Sequence, residues 1–363
     1  MGKLRIGIIG TGGIAGAHTK AYLQMDDVEI VAGADIIKGR AREFFDKHGL
    51  TDAKDYTSAK AMFKAEKIDA VSVCTYNTAH AVCAIEALKA GCHVLLEKPM
   101  TVTLKDAKAI MKAEQETGKI LTIGFQPRYD SRMKKIKEII QSGVLGKIYY
   151  IQTGGGRRRG FPTKVSFLEK ETAGVGALAD IGCYSLDMVL NAIGYPKPLT
   201  VSATAYDLIG KNPKYYNPEF AARFNVDDFC GAFIRLEGGI TLDFRMSWAM
   251  HMDSTGATIF LGSEAGLKVE PTHNNNPLWG GAWDGSCGDV TLFHDVMGVC
   301  THTPIPLSDK KEDRFFLKCR SFVDAVKGGL PAPIPTSEII YNQAIIDGIV
   351  RSCECGKEVS VVI

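Results

Sequence analysis

Near the start of the chain, Gly10-Thr11-Gly12-Gly13-Ile14-Ala15 spells a G-x-G-x-x-A turn. The run before it, Arg5–Ile9, is short and apolar like a strand buried on both sides, and Ile14–Met25 after it has helical periodicity. In that setting Gly10 permits the tight turn and Gly12 lets the backbone approach a pyrophosphate. Gly13 and Ile14 open the helix whose first amides face the phosphate, and Ala15 lets helix and strand pack closely. Asp35 ends the next apolar run, twenty residues after Ala15. Its carboxylate can accept hydrogen bonds from an adenosine ribose and would repel a 2′-phosphate. Arg40 could reach such a phosphate, so NAD is the expected cofactor and NADP is possible.

Hydride transfer at an alcohol carbon also needs a base and a charge to stabilise the developing alkoxide. Lys98 stands just past the apolar run His93–Glu97, at the edge where open parallel sheets bind ligands. Asp180 and Tyr184 are four residues apart in a helical pattern spanning Ala177–Ile193, so they share one face. Each has a plainer reading: a solvated lysine, a helix cap after Gly174–Gly176, a core aromatic with a satisfied hydroxyl. Arg157-Arg158-Arg159 follow a strand-like run, Lys147–Thr153. They could pair with hydroxyls or anions, or form a solvated basic turn. Arg128 is a weaker candidate.

The elements that must position these residues change character along the chain. Apolar runs at Arg5–Ile9, Glu29–Ala34, Ala70–Thr75, His93–Glu97 and Ile120–Gly124 alternate with helical patterns at Ile14–Met25, Arg40–His48, Ser58–Lys67, Thr78–Ala90 and Leu104–Thr117. That alternation predicts an α/β domain, a Rossmann doubly wound parallel sheet, over residues 1–124. Beyond it come strand candidates at Thr200–Tyr206, Phe229–Leu236, Ile240–Trp248, Thr258–Leu261 and Leu267–Glu270. Turn signals at Glu237-Gly238-Gly239 and Ser263–Gly266 join them, and late helices are expected at Asp309–Lys327 and Ser337–Cys353. A C-terminal α+β domain with a large, mostly antiparallel sheet is therefore expected over 125–363, with Thr272–Ser286 as a loop.

With 363 residues, 45% hydrophobic, and a formal charge of +2, the chain has apolar material for two cores and no nucleic-acid footprint. Its ten cysteines contain no C-x-x-C pair and no zinc spacing, so no metal site is expected and free thiols in a reducing cytoplasm are. Leu4–Ile9 enters a strand at once, so no signal peptide is expected, and no apolar run reads as membrane-spanning.

Further motifs carry a resemblance. Ala90-Gly91-Cys92-His93-Val94-Leu95-Leu96-Glu97-Lys98-Pro99-Met100, with the opening turn, resembles the glucose–fructose oxidoreductase / inositol dehydrogenase (Gfo/Idh/MocA) family, whose A-G-x-H-V-x-x-E-K-P segment carries a catalytic Lys. Thr75-Tyr76-Asn77-Thr78-Ala79-His80 is similar to its T-P-N-x-x-H loop near the nicotinamide ribose, with Tyr76 in place of Pro. Gly174–Tyr184 resembles its G-G-G-x-L-x-D-I-G-x-[HY] segment, and Ser352–Val359 its closing S-x-x-x-G-x-x-V. The resemblance implies that Lys98 is catalytic and that Thr75, Asn77, His80 and Glu97 lie beside the cofactor. It implies that Arg157 and Arg159, with Asp180 and Tyr184, border a sugar-like substrate. Tyr184 stands where inositol dehydrogenases carry His, so no histidine relay is implied. A Lys98–Tyr184 relay with Asp180 in support is expected, the ammonium favouring phenolate. Trp248, Trp279 and Trp283 could stack on sugar faces, though core packing is their commoner role.

The leading expectation is an NAD(P)-dependent oxidoreductase of a sugar, polyol or glycoside secondary alcohol. It would be cytoplasmic and a homodimer or homotetramer, with no nucleic acid or membrane partner. The alternatives are an NAD-retaining enzyme that cleaves glycosides by oxidation and elimination, and a non-enzymatic cofactor sensor. Retention of Lys98 speaks against the sensor.

Overall fold

Six short strands, β1 (Leu4–Ile9), β2 (Val28–Ala34), β3 (Lys54–Tyr56), β4 (Ala70–Val73), β5 (His93–Leu96) and β6 (Leu121–Ile123), pair in parallel in the order β3-β2-β1-β4-β5-β6. Between them lie α1 (Gly13–Tyr22), α2 (Arg40–Lys47), α3 (Ala59–Ala65), α4 (His80–Lys89) and α5 (Leu104–Thr117). This is the doubly wound sheet expected. Strand order reverses between β1 and β4, which opens a crevice at their carboxyl ends. The computed structural model describes residues 2–271, 288–308 and 312–363. Trp279, Trp283 and the whole of the expected loop Thr272–Ser286 therefore lie outside the described residues.

The chain continues through α6 (Ser131–Gln141), β7 (Ile148–Gly156), α7 (Lys170–Ala173), α8 (Cys183–Ile193), β8 (Pro198–Tyr206), α9 (Pro218–Arg223), β9 (Phe229–Leu236), β10 (Ile240–Ser247), β11 (Thr258–Gly262), β12 (Ala265–Val269), β13 (Val290–Val296) and β14 (Val299–Ile305). With β15 (Val359–Ser360), the seven strands β8 to β14 and β7 form a nine-stranded sheet, β14-β13-β12-β11-β7-β10-β9-β8-β15. Only β7 and β10 pair in parallel there. Register puts Ile234, Leu242, Ile151, Phe260 and Leu267 in one row across five strands, and all are buried. That row is the period-2 apolar face the sequence pattern required.

The helix expected over Ala177–Ile193 is not uniform: Leu178–Gly182 is a π-helical turn that runs into α8. Lys170–Ile193 is also long and apolar enough to span a membrane by composition, which corrects the reading that no such run exists. Its most apolar stretch is 89% buried inside the fold, as a core helix is.

Two compact units result, Met1–Gln126 with Asp313–Ile340, and Pro127–Glu312 with Tyr341–Ile363. The expected division at 124 thus differs at its far end. The helix α10 (Arg314–Gly328) belongs to the first unit, and α11 (Thr336–Cys355) begins there and ends in the second. The cause is the apolar stripe of α10. Cys319, Phe322 and Val323 are buried in the same cluster as Ile6, Ile8, Tyr22 and Phe45. Burying a Phe or Val stabilises by about 1.5–3 kcal/mol, so this stripe decides where the helix packs.

Candidate active site

In the first unit, β1 delivers Gly10 into the crevice with φ of +82°. A Cβ there would come within 2.9 Å of the Cys74 carbonyl and the Thr75 amide at the end of β4, so only glycine fits. Gly12 is the N-cap of α1, no side chain caps the helix, and a Cβ at Gly12 would meet nothing within 4 Å. A helix N-terminus left uncapped beside open space suits an anion. Gly13 is exposed, Ala15 is buried, and Ile14 packs against the core cluster. Asp35 Oδ2 accepts from the Thr11 amide at 3.0 Å and its hydroxyl at 2.9 Å, and Oδ1 accepts from the Ile37 amide at 3.0 Å. Asp35 therefore braces the glycine loop. Arg40 Nε lies 3.9 Å from Asp35 Oδ2, so the charge that repels a 2′-phosphate and the charge that attracts one stand side by side. Arg40, Lys20 and His48 line a cavity of about 630 Å³ next to the loop. These residues fit a dinucleotide.

Lys98 is half-buried one residue past Glu97 at the end of β5, and its bond to Pro99 is cis. Thr75 and Asn77 are half-buried beyond β4. Two residues expected at the cofactor bond protein partners. His80 is buried, and its Nδ1 lies 2.7 Å from the Pro99 carbonyl. Burial lowers the pKa of His80, so the neutral ring donates that one proton to Pro99 and ties the Thr75 loop to the Lys98 loop. Glu97 is buried with His18 and Lys318, and its Oε1 bonds both.

In the second unit, the π-helical turn carries Asp180, and Tyr184 follows in the first turn of α8, buried. Asp227 anchors this segment by accepting from the Gly176 amide at 2.6 Å and the Leu178 amide at 2.9 Å. Asp180 Oδ2 accepts from the indole N–H of Trp248 at 3.0 Å. Trp248 is fully buried, so it is the core residue expected of it, yet it also aims a carboxylate. No local signal could have found that bond, which spans 68 residues.

The arginines divide. Arg157 is half-buried just past β7. Arg159 donates to the Met250 carbonyl at 3.0 Å and lies 4.7 Å over the Tyr215 ring. Its guanidinium is held by protein, and its role at a substrate stays a proposal. Arg128 forms a forked, buried pair with Asp187 at 2.9 and 2.6 Å and also bonds the Tyr195 hydroxyl, so it is a packing staple. Among the described residues no His/Cys/Asp/Glu group could hold a metal.

Residues 4–125 match the family described as oxidoreductase family, NAD-binding Rossmann fold, and residues 133–268 match the GFO/IDH/MocA C-terminal domain. D-glucoside 3-dehydrogenase of Escherichia coli (strain K12) is 33% identical over 368 residues, covering 99% of this chain and 97% of that protein. Inositol 2-dehydrogenase of Salmonella typhimurium is 38% identical over 146 residues, 40% of this chain and 43% of that protein. The solved structure of levoglucosan dehydrogenase with NADH and levoglucosan shares the fold, with a TM-score of 0.80 at 20% identity over 99% of each chain. A glycine loop built for a dinucleotide, a family match in both halves and a full-length relative lead to one conclusion: the chain belongs to the Gfo/Idh/MocA family and is an NAD-dependent oxidoreductase acting on CH–OH groups.

Proposed function

We propose that the chain oxidises a secondary ring alcohol of a glycoside or a related sugar. The observation that carries this reading is the full-length similarity to a D-glucoside 3-dehydrogenase; the inositol dehydrogenase match spans only 40% of the chain. NAD, when bound, takes the hydride. Gly10, Gly12, Gly13 and the start of α1 hold its pyrophosphate, and Asp35 its adenosine ribose. Lys98 sets a positive charge against the developing alkoxide. Tyr184 accepts the hydroxyl proton, and Asp180, aimed by Trp248, accepts a hydrogen bond from a neighbouring substrate hydroxyl. Arg157 and Arg159 border the sugar. The enzyme works as a homo-oligomer in the cytoplasm. All nine described cysteines are free thiols, which suits a reducing compartment.

The test is a panel of aldoses, inositols and methyl glycosides, followed by the absorbance of reduced nicotinamide. Methyl glucosides are expected to be turned over fastest, with NADH accumulating in step with oxidised sugar. Preference for inositols would overturn the substrate class. Release of methanol without net NADH would favour oxidation–elimination chemistry instead.

A further inference from the structure

Three buried polar groups, one of them the chain neighbour of Lys98, bond one another in the first unit. Glu97 is 4% exposed, His18 0% and Lys318 1%. They come from the end of β5, from α1 and from α10. The Lys318 ammonium bonds Glu97 Oε1 and lies 3.0 Å from His18 Nε2, which is itself 2.8 Å from Glu97 Oε1. His18 Nδ1 is 3.0 Å from the Ser72 hydroxyl, which is 2.8 Å from the Tyr22 hydroxyl.

Burial and the Lys318 charge both lower the pKa of His18, so the ring is neutral. Nε2 lies within reach of both the Glu97 carboxylate and the Lys318 ammonium; with its single N–H on Nε2 the ring donates to the carboxylate, and the ammonium then bonds the carboxylate and not the ring. Nδ1 accepts from Ser72, and Ser72 accepts from Tyr22. Lys318 donates to Glu97 and supplies the only full positive charge in the cluster. The other titratable groups facing it, Cys74, Cys319 and Tyr22, are held neutral by burial, Cys319 being pushed up to about 12. Glu97 Oε2 is left for the backbone amide of Lys98, at 3.4 Å. On the other side a Cβ at Gly124 would lie 2.7 Å from Glu97 Oε1, so a side chain there would collide with the carboxylate and glycine leaves it space.

A buried ion pair is weak as a source of stability, because desolvation offsets its attraction; what it supplies is direction. We propose that Lys318 is a positioning residue for the reaction. By pinning Glu97, it fixes the backbone at Lys98 and hence the ammonium that faces the alkoxide. The consequence is that α10, more than 200 residues downstream of the motif, belongs to the catalytic apparatus.

The proposal rests on the catalytic reading of Lys98, and the test separates the two. Lys318→Met alone strands a buried carboxylate and is expected to lower Tm. Lys318→Met/Glu97→Gln removes both charges and is expected to recover most of that Tm. Amide hydrogen exchange of the NAD-free protein is read over residues 97–100, with β1 as the internal reference. The double variant is expected to exchange at least tenfold faster over 97–100 and unchanged over β1. Its kcat on methyl glucoside is expected to stay about 10–100-fold down, with KM and NAD affinity within threefold. Unchanged exchange over 97–100, or kcat that recovers with Tm, overturns the proposal and assigns the cluster to packing. If Lys98→Met turns over normally, the catalytic reading itself fails and the proposal with it. If Lys98→Met is inactive while the double variant is fully active, only the positioning role fails.

Discussion

An ordinary tyrosine loses its proton near pH ~10, so a phenol serves as a base at neutral pH only when a cation favours its anion. That is the reason for the proposed coupling of Tyr184 to Lys98, in which the two residues would act as one functional group. Lys98→Met and Tyr184→Phe are each expected to lower kcat by roughly 10²–10⁴, the usual contribution of a general acid–base group, while NAD binding persists. The double change is expected to be little worse than the worse single, because residues that act as a unit are not additive. Asp180→Asn should chiefly raise KM. Steady-state kinetics with fluorescence titration of NAD checks all four. Near-normal turnover in Tyr184→Phe would return that buried ring to packing and leave the proton to Lys98 or Asp180.

At the scale of elements, α10 is anchored by carboxylates whose ionised forms the fold favours. Hydrogen bonds from Arg320 and then Lys327 hold the Asp27 carboxyl well below the usual range. Burial alone would raise Glu97, but the Lys318 ammonium and the His18 hydrogen bond hold it well below as well. Both folded pKa values lie under the unfolded ones. Their stabilisation is therefore complete above the ordinary carboxylate range, near pH ~4, begins to decline below it and is lost as pH falls through the depressed folded values. Asp228 in the second unit has the opposite sign. Burial pushes its carboxyl up to about 6, so it costs stability as pH rises toward that value and none in acid. The expected outcome is that α10 loses exchange protection below pH ~4 before the nine-stranded sheet does. Equal protection of α10 and that sheet at pH 3 would contradict it.

At the scale of the whole molecule, the nine-stranded sheet has a second face to account for. Register places Phe233, Asp243, Gln152 and Ile259 in a row on the side opposite the buried row, with Phe233 exposed. Phe293 on β13 lies on that face and is exposed too. Exposed aromatic and branched side chains on one sheet are commonly covered in a symmetric dimer. Light scattering is expected to give twice or four times the chain mass, and Phe233→Glu to shift it toward the monomer. A wild-type monomer at working concentration would remove the idea. How far the sequence alone reaches follows from the range of each signal. The parallel half was legible because five of its six strands are apolar runs between turn residues, while β3, the polar and largely exposed Lys-Asp-Tyr, escaped notice, and the glycine loop with Asp35 declares its chemistry within one local unit. The β13–β14 hairpin escaped notice because Met297-Gly298 carries its turn, with φ of 52° and 79°, instead of the usual Asn-Gly or Asp-Gly. The helix α6 escaped too, although Met133, Ile136 and Ile140 give it an apolar stripe and Asp130 caps it. Composition and spacing thus determined the fold class and the cofactor. Tertiary structure alone decided that α10 returns to the first unit, that Trp248 aims Asp180, and that Lys318 meets Glu97. Those choices depend on burial and charge pairing between segments 68 and 221 residues apart, and no local pattern records which distant face an apolar stripe or a buried charge will find.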